Sequence, residues 1–146
     1  MTSLPVQCER LSRLVGAYRG LESSADGKEL YGTYKNELVL EGFFLSLTYS
    51  QSLEATIQYQ MRAVIGFEFQ QERFFMNWYD SMGGYGTGIY GFFEGDLLQL
   101  EGPDSANGGY SRFTWEVEAN AQLITLESSE DREHWSVLLA ARYERQ

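Results

Sequence analysis

Three side chains and one glycine string in this sequence are of types that can do chemistry. Asp80 follows Trp78 by two residues, so strand periodicity puts both on one face, where a carboxylate could serve as acid or base. No spacing identifies a partner for it, and an Asp before Ser81-Met82-Gly83 is also ordinary turn chemistry, the favoured reading. His134, the single histidine, stands beside Trp135 at the start of the last expected strand. It could be a general base or an axial haem ligand, but its neighbours Asp131, Arg132 and Glu133 favour a solvated residue at a strand end. Cys8, the single cysteine, falls on the apolar side of a helix and reads as a buried thiol rather than a nucleophile. One His and one Cys cannot supply a closed zinc site, and no carboxylate spacing matches a calcium loop.

Gly86-Thr87-Gly88-Ile89-Tyr90-Gly91 matches the Gly-x-Gly-x-x-Gly string. A phosphate site needs that string to open a helix. Here it runs into Phe92-Phe93-Glu94-Gly95, a strand and then a turn. Strand curvature and tight packing beneath aromatic rings are the better account of these glycines.

The elements that must position these residues are strands. Aromatic residues make up 15% of the 146-residue chain, with 15 Gly against 2 Pro, and Tyr and Phe in such numbers favour sheet. Only residues 4–14 read as helix, with Ser3 as cap, Pro5 in the first turn, and Leu4, Cys8, Leu11 and Val15 at helical spacing. It is placed as a plug over one end. Strands are expected near 14–23, 31–40, 43–50, 56–67, 73–80, 86–93, 96–101, 110–118, 121–128 and 133–144. Turn chemistry at Asp26-Gly27, Glu41-Gly42, Glu94-Gly95, Asn107-Gly108-Gly109 and Ala119-Asn120 separates them. About ten such strands with no intervening helix close into an antiparallel up-and-down β-barrel, a single domain over 1–146, because closure removes exposed edges.

Alternation sorts the faces. Tyr34, Asn36, Leu38 and Leu40 oppose Lys35 and Glu37; Ile57, Tyr59, Met61, Ala63 and Ile65 oppose Gln58, Gln60 and Arg62. Phe113, Trp115 and Val117 oppose Arg112, Thr114, Glu116 and Glu118. The candidate ligand-binding set is Tyr34, Asn36, Phe43, Tyr59, Met61, Phe74, Met76, Trp78, Asp80 and Trp115. A filled core does not need so many polar-tipped aromatics, and a mostly apolar interior with a few placed polar groups is how small-ligand pockets look. No catalytic residue is assigned.

Leu14-Val15-Gly16-Ala17-Tyr18-Arg19-Gly20 resembles the Gly-x-Trp opening of calycins, the lipocalins and fatty-acid-binding proteins, with Tyr18 in place of the tryptophan. Trp78-Tyr79-Asp80-Ser81-Met82, Thr87-Gly88-Ile89, Gly91 and the closing Arg142-Tyr143-Glu144-Arg145 resemble an uncharacterised, mostly bacterial family of calycin-like barrels. Its signature is Trp-x-Asp-Ser-Met-x-Thr-Gly-Ile, here with a turn lengthened by Gly84 and Tyr85. The resemblance implies a barrel with a small-molecule cavity and no settled biochemical role; with Tyr18 in the tryptophan's place, Arg142 or Arg145 could still stack on it as a cation–π pair at the barrel base. The haem alternative through His134 corresponds to the nitrobindin type of such barrels.

The leading expectation is a barrel that binds a small hydrophobic or amphipathic molecule. The alternatives are an enzyme using Asp80 or His134 as its acid–base group, a haem-binding barrel, and a fully packed interaction module whose outer face makes a homodimer. No cofactor is favoured. A formal net charge of -10 repels phosphate backbones and anionic lipid, so nucleic acid and membrane are not expected partners. The N-terminus lacks a charged-then-apolar signal pattern and no apolar run approaches membrane length, so a cytoplasmic protein is expected.

Overall fold

The computed structural model describes residues 5–25, 28–104 and 108–146. Ser3, Leu4, Asp26, Gly27 and Asn107, named above as cap, helix and turn residues, lie outside that range. The chain opens with a short helix α1 (Val6–Arg10) that tightens into a 3-10 turn over Leu11–Leu14. The expected 4–14 helix is therefore α-helical for only five residues. Pro5, extended and without an N–H, sits at the N-cap rather than within the first turn. At the other end the Ser12 hydroxyl donates back to the Glu9 carbonyl at 2.6 Å, a local bond that competes with continued helix.

Ten strands follow: β1 (Gly16–Ala25), β2 (Lys28–Val39), β3 (Phe44–Leu53), β4 (Thr56–Glu68), β5 (Arg73–Asp80), β6 (Tyr85–Glu94), β7 (Leu97–Pro103), β8 (Tyr110–Val117), β9 (Ala121–Ser129) and β10 (Ser136–Arg145). Each pairs antiparallel with its neighbour in sequence, and β10 returns to β1, so the sheet is a closed up-and-down barrel. The closing seam is short: β1 meets β10 through Tyr18 opposite Arg145 and Arg19 opposite Glu144.

The two ends differ. At the end where β1 begins, Leu11 and Leu14 are wholly buried among Leu45, Ile65, Met76, Ile89, Leu98 and Leu100. Their source strands all present an apolar residue at every second position near this end, and the helix supplies the last apolar surface needed to seal it. The opposite end carries the β3–β4, β5–β6 and β9–β10 connections, and among the described residues it has no such plug. The β3–β4 hairpin turns through Glu54 and Ala55, both left-handed at φ 49° and 67°, as a two-residue turn of matching twist demands.

Four positions expected to be buried on the inward face are exposed. Leu38 and Phe43 are exposed, and Leu40 is 72% exposed. The chain leaves strand geometry at Leu40 and Glu41, with φ 51° and 62°, so alternation ends there and the side chains turn out at the rim. Ile57 is likewise exposed, at the unplugged end beside a bulge between Gln51 and Ser52. Among the described residues, no helix is long and apolar enough to cross a membrane.

Candidate functional site

A column of tyrosines runs up the inside of the β1–β2–β10 wall. Tyr18 stacks on Tyr34 with ring centroids 5.3 Å apart, and Tyr34 meets Tyr143 edge-on at 5.1 Å. Glycines make room for the column: a Cβ at Gly20 would stand 2.9 Å from the Tyr143 ring and overlap the Arg142 carbonyl. At the sealed end the last helical carbonyl, Leu14 O, has no partner along the helix. It accepts instead from Asn36 Nδ2 at 2.9 Å and Gln122 Nε2 at 3.2 Å, and the Tyr34 hydroxyl donates to Gln122 Oε1 at 2.5 Å.

Higher up, β1 carries a bulge between Leu21 and Ser23. The extra residue is Glu22, and both Glu22 and Ser23 reach the interior wall. Its carboxylate lies over Gly32, where any Cβ would overlap it. Glu22 Oε2 accepts from the Tyr49 hydroxyl at 2.6 Å and the Tyr143 hydroxyl at 2.5 Å, while Oε1 accepts from Gln51 Nε2 at 2.8 Å. Burial first, and then the bond to Glu22, pushes the Tyr49 and Tyr143 phenols well above their ordinary pKa. Burial and the neighbouring Tyr18 do the same to Tyr34.

This cluster stands in the wall of a cavity of about 480 Å³ in the unplugged half of the barrel. Leu47 and Trp115 border it toward the core, Met61, Phe113 and Leu126 form other parts of the wall, and Leu138 belongs to the exposed part of β10. Chemically it is an apolar chamber with one hydrogen-bonded carboxylate and a set of phenol rings. Among the described residues, Trp115 Nε1 is buried without an acceptor.

Of the residues singled out by sequence, Tyr34, Tyr59, Met61 and Trp115 line this cavity. Phe74 and Met76 are packed in the sealed core, with Trp78 against it. Asn36 is buried below the cavity, bonded to Leu14 O, and its Oδ1 has no partner among the described residues. Phe43 is on the surface at the sealed end. Asp80 shapes the β5–β6 turn: Oδ1 accepts from the backbone N–H of Met82 at 3.0 Å and of Gly84 at 2.7 Å, and Oδ2 from the Tyr59 hydroxyl at 2.8 Å. Burial raises the Asp80 carboxyl, and the bonds from Tyr59, Gly84 and Met82 outweigh it, leaving it below the usual carboxylate value.

His134 is outside the cavity, its side chain 86% exposed, with Nδ1 2.7 Å from Asp131 Oδ2. Asp131 Oδ1 also receives the backbone N–H groups of Glu133 and His134, and these bonds, led by the one from His134, hold its carboxyl far below the usual range. Among the described residues, Asp131, Glu133 and His134 are the one group whose ligand atoms lie within 4.8 Å of one another, and all three are exposed. Cys8, on the plug helix α1 itself, is wholly buried, and burial pushes its thiol up. The Gly86–Gly91 string lies inside β6. A Cβ at Gly86 would overlap the Trp78 indole, and one at Gly91 would overlap the Gln99 carbonyl of β7. These glycines serve packing.

Sequence reasoning missed Glu22, Tyr49, Gln51 and Tyr143. Two signals pointed to them: Glu22 follows Tyr18 and Gly20 at strand period, and glycines recur across the β1–β2 pair at Gly20 and Gly32. At the barrel base the arginine question is decided in favour of Arg145. Its guanidinium stands 5.4 Å from the Tyr18 ring centroid and donates to the Tyr18 hydroxyl at 3.0 Å. Arg142 pairs instead with Glu118 and Glu144.

Comparison with curated proteins finds no match. Among solved structures, the crystal structure of Rv2717c from M. tuberculosis is similar, with a TM-score of 0.68 at 15% sequence identity, covering 99% of each chain. At that identity the likeness is one of fold. The family described as "Protein of unknown function (DUF1579)" matches residues 9–145, nearly the whole barrel including its cavity, and this chain belongs to that family.

Proposed function

We propose that this protein is a calycin-like barrel that holds a small hydrophobic or amphipathic molecule in its unplugged half. The observation that carries the reading is the cavity of about 480 Å³, within the range of small-ligand sites, roughly 300–1,000 Å³. The same barrel is densely packed where the helix seals it, so the hollow is confined to one half. Its lining is mainly apolar, with Tyr49, Gln51 and Tyr143 gathered at Glu22. The Tyr18–Arg145 contact at the base supports the calycin-like part of the reading, with a tyrosine in the tryptophan's place.

Met61→Trp tests it. Met61 lines the cavity, so the added ring should occupy the void, abolish binding of a neutral naphthalene dye and leave folding intact. Emission from the native tryptophans, with Trp115 in the cavity wall, should respond to the dye in the parent protein. If no dye binds, and the substitution costs about 1–3 kcal/mol as overpacking of a filled core does, the barrel is a packed module and the binding reading falls.

A further inference from the structure

The polar side of the cavity has one sign of charge. Among the described residues that line it, Glu22 bears the one formal charge, and no Lys or Arg is present. The donors that reach the carboxylate are two phenols and an amide, all neutral. A carboxylate offers about four lone-pair directions. Among the described residues three are taken, and Oε1 has a single donor, Gln51. Lys28, at the start of the adjoining strand β2, is exposed and is not part of the lining.

Around this carboxylate are aromatic rings. Tyr34, Tyr49, Tyr59 and Tyr143 all line the cavity together with Glu22, and Tyr49 and Tyr59 meet edge-on with centroids 6.2 Å apart. Because Tyr49 and Tyr143 point their hydroxyls at Glu22, their rings and the negative charge converge on one region. Aromatic faces attract organic cations through their quadrupole, and a carboxylate adds a full charge and an acceptor. A fatty-acid carboxylate would meet repulsion here, with no cationic residue among the described lining residues to offset it. The formal net charge of -10 biases approach in the same direction.

We propose that the occupant is a cationic amphiphile, with an alkylammonium head against Glu22 and the tyrosine rings and its apolar tail toward Leu47 and Trp115. This rests on the cavity reading above and adds the head-group class to it. The head sits at Oε1, which has room for a further donor, while the tail lies along the apolar lining of the cavity.

The test is a three-probe titration of the full chain at pH 7, below micellar concentrations, with dodecylamine, dodecanol and dodecanoate, followed by tryptophan emission and calorimetry. The amine should bind about tenfold tighter than the alcohol, as a charge-assisted contact does, with dodecanoate weakest. Glu22→Gln should bring the amine-to-alcohol ratio close to one, and Met61→Trp should remove binding of both. Equal or tighter binding of dodecanoate overturns the head-group assignment while leaving the cavity reading in place. Amine binding that survives Met61→Trp is adsorption to the acidic surface and also overturns it. If none of the three probes binds, the cavity reading itself fails and this inference with it. Should Glu22→Gln not fold, the ranking of the three probes on the native chain still decides.

Discussion

The sealed half and the hollow half of this barrel are built from the same ten strands, yet they solve different problems. In the sealed half, Leu45, Ile65, Met76, Ile89, Leu98 and Leu100 meet Leu11 and Leu14 from the plug, and all are essentially inaccessible. In the hollow half the inward positions hold Tyr49, Tyr59, Met61 and Phe113, each only partly buried, and the bulge at Glu22 brings a carboxylate inside. Alternation along a strand guarantees an inside and an outside, but not a filled inside. Filling depends on whether a further element covers the opening. Here the helix covers one end, and its apolar residues complete the core there.

The largest expected difference between the halves is in truncation. Ile65→Ala, in the sealed core, should cost about 2–5 kcal/mol, the transfer term plus the cavity left behind. Met61→Ala, four residues earlier on the same face of β4 and already against the void, should fall at or below the bottom of that range. Urea unfolding of the two variants measures the contrast, and equal losses would show that the hollow half is packed.

A titration sharpens the same contrast. Tyr34, Tyr49, Tyr59 and Tyr143 all have raised pKa values, each led by burial. A raised folded-state value means the native protein keeps its proton after the unfolded chain, whose tyrosines titrate near about 10, has lost it. Their contribution is therefore complete below about pH 10 and lost as pH rises through the folded values. Thermal melting should drop above about pH 10, and Tyr143→Phe should flatten that drop. Asp80 runs the other way: its lowered carboxyl stabilises the β5–β6 turn above about pH 4 and the effect disappears as pH falls below that. An alkaline profile unaffected by Tyr143→Phe would separate the phenol cluster from stability.

The smallest effect is expected at the base. Arg145→Ala removes a largely exposed guanidinium from the face of Tyr18 and from its hydroxyl, worth about 0.5–1 kcal/mol. Dye binding in the cavity should not change, because the substitution lies at the sealed end. A loss of binding equal to that of Met61→Trp would mean that the two halves are coupled.

The barrel itself was legible because its evidence is local and repeated. Phe113, Trp115 and Val117 alternate with Arg112, Thr114 and Glu116 in one strand, and similar runs recur between turns. The site was legible only in part. Tyr59, Met61 and Trp115 were found because they are large and lie on the dry face, but the same rule also selected Phe74 and Met76, which are in the sealed core. Size and parity do not say how far along the barrel axis a residue sits. Asp80 was legible as a turn residue, from its place before Ser81-Met82-Gly83, and its bonds to Met82 and Gly84 have that form.

What the sequence by itself determined is the strand pattern, the closed antiparallel architecture and the presence of a helix ahead of it, because turn residues and period-two alternation act between near neighbours in the chain. Only the tertiary structure decided where the interior is empty and what charge it contains. Glu22 meets Tyr143 across 121 positions of chain and Tyr49 across 27, and Gly20 and Gly32 make space for that meeting on strands whose register is set by a bulge. Contacts between residues so far apart depend on closure of the whole sheet, since the first and last strands become neighbours only when the barrel shuts.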